Sequence, residues 1–151
     1  MINWMNILFT CACGKKSEEL FKVIKKDLKK KVNLYGCDVR KKNGKTYLNN
    51  FIKINFSNKK IFLSQILNIC KKYKIDYVFA WADKEIEVLS KNLKKFEKIK
   101  TKVLINNLTY SKIFNDKFKT YELIKKIGID VPKYRLLKNI SSIDRILHDF
   151  G

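Results

Sequence analysis

Asp83 and Glu85 stand two residues apart in Trp81-Ala82-Asp83-Lys84-Glu85, directly after the apolar run Tyr77-Val78-Phe79-Ala80. Such a run, preceded by Ile75-Asp76, predicts a strand buried on both faces, and the acids then fall where the strand ends and a helix begins. In open α/β sheets that edge is where ligands bind. Both acids also have structural work available, Asp83 as a helix cap and Glu85 in the favourable field of a helix N-terminus. A third acid, Asp38, closes the run 32–37, the position at which a Rossmann-like sheet presents a carboxylate to a ligand. Gly14 ends Cys11-Ala12-Cys13-Gly14, a small-residue loop that can pass close to a ligand or to another stretch of backbone. Gly14, Asp38, Asp83 and Glu85 are thus the candidate substrate-binding residues. Gly14 stands alone in its loop, so the glycine fingerprint of a dinucleotide site is missing.

Other chemistries find little support. Cys11, Cys13, Cys37 and Cys70 contain no C-x-x-C spacing, and the single histidine, His148, lies far along the chain. They read as reduced thiols in a cytoplasmic protein, some packed as small apolar residues, and no metal site is expected. The 34 Lys and Arg against 14 Asp and Glu give a formal charge of +20. Only Arg40, Arg135 and Arg145 are arginines, whereas planar forks that read bases and phosphates favour arginine, and the lysines spread over every predicted helix. Nucleic acid is therefore not expected as the primary partner. No apolar run approaches the roughly 18 residues that a membrane span needs, and no basic residue precedes the apolar patch 7–13, so neither a membrane partner nor a secretory signal is expected.

The elements that would position the four candidates follow from periodicity. Strands are predicted at 6–10, 32–37, 51–54, 77–80 and 103–105. Helices are predicted at 17–30, capped by Ser17; at 60–73, capped by Ser57-Asn58; at 84–97, capped by Asp83; and at 108–114. Residues 39–46 read as a basic turn around Asn43-Gly44, and residues 1–4 as an extension ahead of the folded part. Alternating strands and helices imply an α/β fold, a parallel sheet covered on both faces. A capped helix follows at 116–127, with Phe118, Tyr121, Ile124 and Ile127 on one face and Asn115 or Asp116 as cap; Gly128 ends it, and Pro132, the only proline, opens an extended segment. Beyond it, Tyr134-Arg135-Leu136-Leu137 and a second capping signature, Ser141-Ser142-Ile143-Asp144, begin a new pattern.

The order of these pieces resembles the amino-terminal region of ATP-grasp ligases, in particular proteins similar to the carbamoyl-phosphate synthase large chain. The pieces are the loop ILFTCACGKK, the strand ending in Asp38, IDYVFAWADKE, VLINN and NDKFKTYELIKKIGIDVPKY, together covering residues 6–137. The run N-D-K-x-x-T followed by G-I-x-x-P is the most specific part. Relatives usually have T-S-A-G-R-R where this chain has Thr10-Cys11-Ala12-Cys13-Gly14-Lys15-Lys16, one residue longer and with lysines for arginines.

The resemblance implies a Rossmann-like three-layer parallel sheet, the pre-ATP-grasp domain, over 5–108, followed over 109–151 by a junction helix and the first elements of a truncated ATP-grasp domain. It implies ATP and Mg²⁺ as cofactors of the complete fold, which transfers the γ-phosphoryl of ATP to a carboxylate and lets an amine-type nucleophile attack the acylphosphate. Lys117 matches the first cationic contact to ATP, and Asp83 with Glu85 matches a D-x-E at the substrate-facing edge. The phosphate-clamping lysine, the glycine-rich loop and the magnesium ligands would belong to a missing ATP-grasp portion, on the same gene or a separate chain. The expected partners are that portion and a small-molecule carboxylate substrate, and the chain is not expected to catalyse alone. The competing reading is a non-catalytic module that binds a nucleotide or metabolite or docks to a partner. Without partners, Tyr134, Leu136, Leu137, Ile146 and Phe150 would leave an apolar patch open to fold back or to form a homo-oligomer.

Overall fold

The structure, a computed structural model, describes residues 4–28, 31–40, 48–137 and 139–150. The expected turn at Asn43-Gly44 and residues 1–3 of the expected extension lie outside the described residues. Backbone contacts divide the chain into two compact units, Met1–Ser111 and Lys112–Gly151.

The first unit is an α/β Rossmann-like fold. In chain order it contains β1 (Met5–Phe9), α1 (Lys15–Asp27), β2 (Val32–Asp38), β3 (Asn50–Lys53), α2 (Ile61–Lys72), β4 (Tyr77–Phe79), α3 (Asp83–Ser90), α4 (Leu93–Glu97) and β5 (Lys102–Val103). The five strands form one sheet in the order β3-β2-β1-β4-β5, and every neighbouring pair is parallel. Alternation along β1 explains the layering. Leu8 turns into a core shared with Phe62 and Ile66 of α2, Leu89 of α3 and Phe96 of α4, while Phe9 turns into a second core with Phe21 of α1, Leu34 and Leu48. Leu8, Phe21, Leu34, Phe62, Ile66 and Val78 are fully buried, and each such side chain contributes about 1.5–3 kcal/mol of burial. Phe9 meets Phe21 edge to face, with ring centroids 5.0 Å apart.

Several element ends differ from the sequence expectation for local reasons. α1 begins at Lys15 with Gly14 as its N-cap, and Ser17 sits inside the helix with its hydroxyl donating to Cys11 O at 3.1 Å. α2 begins after Lys60, which has no side-chain cap, instead of after Ser57-Asn58. The single helix expected over 84–97 is two, α3 and α4, and its first residue is Asp83 with Ala82 as the N-cap, so Asp83 does not cap it. Between the two helices, Asn92 Nδ2 donates to Val88 O at 2.8 Å and satisfies a carbonyl that a continuous helix would have used.

α5 (Leu108–Phe114) carries the chain across the boundary between units. The second unit holds α6 (Lys117–Lys126), a 3₁₀ turn (Ile140–Ser142) and α7 (Ile143–Phe150). Asp116 caps α6 by accepting from Lys119 N at 3.1 Å. At the other end Gly128 has φ +79°, Gly128 N donates to Lys125 O at 3.1 Å and Ile129 N to Ile124 O at 3.2 Å, the two reversed bonds of a Schellman motif. After it, 131–137 forms no strand. Tyr134 stacks against Phe118 and Tyr121, and its hydroxyl donates to Glu122. No described residue of this unit is buried.

Candidate functional site

The strand order places β1 between β2 and β4, so the sheet reverses direction of growth beside β1. The carboxyl ends of these three strands make the crevice at that switch point. Three of the four candidate residues meet there. The β1–α1 loop is tied to both neighbours: Thr10 N donates to Phe79 O at 3.0 Å, Ala12 N to Cys37 O at 3.1 Å, and Trp81 N to Thr10 Oγ1 at 3.3 Å.

Asp38 is 3 % exposed and fully engaged. Cys13 N donates to its Oδ2 at 3.0 Å, Arg40 N to its Oδ1 at 2.9 Å, and the Arg40 guanidinium forks onto both oxygens at 3.2 Å. Burial pushes the Asp38 carboxyl up, but the Arg40 fork and the two backbone donors outweigh it and hold it below its ordinary value. Asp38 thus anchors the loop, and its lone pairs are occupied by protein donors.

Asp83 and Glu85 diverge. Positions two apart on a helix do not share a face, and Asp83 is exposed while Glu85 is 5 % exposed. Glu85 Oε1 accepts from Cys11 Sγ at 3.6 Å. Glu85 Oε2 is buried and makes no hydrogen bond among the described residues. Burial raises the Glu85 carboxyl above its ordinary range; hydrogen bonding from Thr10 and Cys11 pulls the other way, and the charge of Asp38 adds to the rise. Burial and the charges of Glu85 and Asp38 push the Cys11 thiol up to about 12, so it is a neutral donor.

Gly14 lies at φ −78°, ψ 145°, ordinary extended backbone, and a β-carbon there would meet Ser17 Oγ and Cys11 O at 3.5 and 3.7 Å. The close approach is made instead by Gly36, where a β-carbon would fall 2.4 Å from Leu48 Cδ1 and 2.7 Å from Ala12 Cβ. Gly36 lets the β1–α1 loop lie on β2, and nothing in local sequence marks it apart from its place in a strand. Cys11, at φ +50°, takes the left-handed conformation in this loop. Thr10, Cys11 and Arg40 complete the cluster although the carboxylate pattern alone does not single them out.

Lys117 is the first residue of α6, in the second unit, and is exposed. Among the described residues no group of three His, Cys, Asp or Glu could hold a metal ion, and no helix is long and apolar enough to cross a membrane.

Residues 7–104 match the family described as PylC-like, N-terminal domain. No curated protein matches the chain. Among solved structures, the biotin carboxylase domain of Hydrogenobacter thermophilus 2-oxoglutarate carboxylase is 14 % identical with a TM-score of 0.57, aligned over 98 % of this chain and 33 % of its own. The biotin carboxylase subunit of a pyruvate carboxylase is 15 % identical with a TM-score of 0.54, over 100 % of this chain and 34 % of its own. Helicobacter pylori ADP-L-glycero-D-manno-heptose-6-epimerase aligns at 16 % identity and a TM-score of 0.52, over 80 % of this chain and 52 % of its own. The chain spans about a third of the length of these carboxylase chains. At such identities the likeness concerns the fold, and the epimerase shows how widely that fold is shared. The family assignment rests on the profile match across most of the first unit: the chain belongs to the PylC-like N-terminal domain family, the pre-ATP-grasp domain that its sequence resembles.

Proposed function

We propose that this chain is the amino-terminal part of an ATP-grasp ligase, one that activates a small-molecule carboxylate as an acylphosphate for attack by an amine-type nucleophile, and that it does not catalyse alone. The observation that carries the reading is the pairing of a pre-ATP-grasp family match over residues 7–104 with alignment to only a third of each carboxylase chain.

No described side-chain group fits Mg²⁺, and Lys117 is one of four exposed lysines on a helix whose first turn is already served by Asp116. Phosphoryl transfer needs several positioned charges around the γ-phosphate. The described residues alone do not supply them. What they supply is the sheet edge that faces a substrate and the helix that carries Lys117 toward a nucleotide.

The second unit supports the same reading. Leu136, Leu137, Ile140, Leu147 and Phe150 are between 41 and 81 % exposed, and a groove of ≈ 670 Å³ lies between α6 and the segment around Pro132. Exposed apolar area of this kind suits further chain of the same fold. The test is to add the polypeptide encoded directly after the Gly151 codon, or in the neighbouring reading frame, and to measure carboxylate-dependent phosphate release from ATP. Activity in the mixture supports the reading. A following sequence with no lysine-bearing strand and glycine-rich loop would sink it in favour of a non-catalytic binding module.

A further inference from the structure

Parallel strands joined by helices send each helix back to the edge at which the strands begin, so the helix ends of the first unit gather on the side of the sheet opposite the crevice. Lysines that are scattered in sequence gather with them. The end of α1 carries exposed Lys26 and Lys31, the end of α2 carries Lys71, Lys72 and Lys74, and the end of α4 carries Lys98, Lys100 and Lys102. The exposed acids there are Asp27, Asp76 and Glu97. Among the described residues none of these lysines forms an ion pair. Hydrogen bonds stitch the three ends into one row: Met5 N donates to Lys31 O at 3.1 Å, Asn6 Nδ2 to Lys74 O at 3.1 Å and Lys102 N to Asp76 O at 2.8 Å. With strands about 4.8 Å apart, the row from β2 to β5 runs about 15 Å.

The negative end of a helix dipole calls for only about half a cationic charge, and these ends carry two or three lysines each. Two of the lysines also sit where glycine is the favoured residue. Lys74 at φ +46° and Lys100 at φ +60° occupy the left-handed position just past α2 and α4. Each stands inside a Schellman motif, closed by Ile75 N donating to Cys70 O at 2.9 Å and by Thr101 N donating to Phe96 O at 3.0 Å. Gly128 fills the same place after α6. Lysine in that conformation is strained relative to glycine. Strain repeated in two neighbouring loops, both times beneath an exposed cation, points to a use for the charge.

We propose that this edge docks the phosphate backbone of a nucleic acid without reading its bases. The row contains no arginine, so it offers point charges to phosphates and no planar forks to base edges. A sequence-blind contact of this kind is compatible with the small arginine count of the chain. A line of cations suits a linear polyanion. Trp4, 50 % exposed ahead of β1, adds an aromatic face on which a base can stack. A bilayer is the poorer fit, because the row is bordered by hydrogen-bonded amides, Asn33 Nδ2 donating to Asn6 Oδ1 at 2.8 Å and Asn49 Nδ2 to Asn33 Oδ1 at 3.3 Å, where insertion among lipids calls for a broad apolar face. The inference is complete within the first unit and does not rest on the ligase reading.

The experiment is fluorescence anisotropy of labelled oligonucleotides of about 20 nucleotides, single-stranded and duplex and of several base sequences, titrated with the 151-residue protein over a range of salt. The expected result is saturable binding that is indifferent to base sequence and falls steeply with salt. Tighter binding of the single strand identifies an unpaired strand as the ligand, and tighter binding of the duplex a double helix. Lys74→Gly with Lys100→Gly removes two cations and relieves the backbone, so the variant should melt no lower than the parent. It should nevertheless bind about fivefold or more weakly at low salt, with a salt slope smaller by about two. Lys53→Gln with Lys59→Gln, an equal loss of charge at the opposite edge of the sheet, should bind like the parent. Equal weakening by both pairs would overturn the proposal, since net charge alone would then account for binding. Absence of binding at low salt would also overturn it, as would polyglutamate bound as tightly as the oligonucleotides or phosphatidylserine vesicles bound in preference to them.

Discussion

Cys11 Sγ donates to Glu85 Oε1 at 3.6 Å, a contact between residues 74 apart in sequence. It joins the loop after β1 to the first turn of α3, and with Asp38 it sets the chemistry of the switch point. Two carboxyls of similar intrinsic acidity are pushed in opposite directions there, Asp38 down by the Arg40 fork and Glu85 up by burial.

The two shifts predict opposite pH dependences. Glu85 is raised from 4.5, so the folded state keeps its proton to higher pH than the unfolded chain. Its contribution is therefore full below that value and is lost as pH rises through the folded pKa. Glu85→Gln should remove this slope and melt above the parent protein at pH 8, by roughly 2–4 °C for each kcal/mol recovered. Thermal melts from pH 4 to 8 read the difference; parallel curves for the two proteins would exclude an elevated Glu85.

Asp38 gives the reverse sign. Its contribution is present above 3.8 and is lost as pH falls through the lowered folded value. Asp38→Ala strands the Cys13 amide and removes the Arg40 fork, for an expected loss of about 2–3 kcal/mol. Arg40→Ala should cost much less, because the guanidinium is largely exposed and its pairing is screened by solvent. Urea unfolding of the two variants should rank Asp38→Ala as much the more damaging. Equal losses would show that the fork, and not the anchoring of the loop, is what Asp38 provides.

Gly36→Ala should destabilise by about 1–3 kcal/mol, since the added carbon falls 2.7 Å from Ala12 Cβ, which cannot swing away, and 2.4 Å from the more yielding Leu48 Cδ1. Adding Ala12→Gly should recover part of the loss. No recovery in the double variant would place the strain elsewhere.

The parallel sheet was legible because β1, β2 and β4 are apolar runs too short for helices, each followed by an amphipathic stripe or a loop. The helix at the junction was legible because Asp116 and Gly128 mark both of its ends by chemistry that local sequence states directly. Residues 84–97 were harder: the apolar stripe Ile86, Leu89, Leu93 and Phe96 runs on across Lys91-Asn92 with no Gly or Pro to mark a stop, and the break comes where Asn92 Nδ2 takes the Val88 carbonyl. At the crevice, the acids were visible but their states were not. Whether a carboxyl is spent on the fold or left unmet depends on donors supplied from other strands, as with Arg40 and Cys13 for Asp38, and spacing along the chain does not contain that information.

The proposal that the chain needs a further portion to act is tested most directly by phosphate release from ATP and Mg²⁺ with the purified 151-residue protein and a panel of carboxylates. The account predicts release no greater than in a protein-free control, for the parent chain and for Lys117→Ala alike. Carboxylate-dependent release by the parent chain that disappears in Lys117→Ala would contradict it.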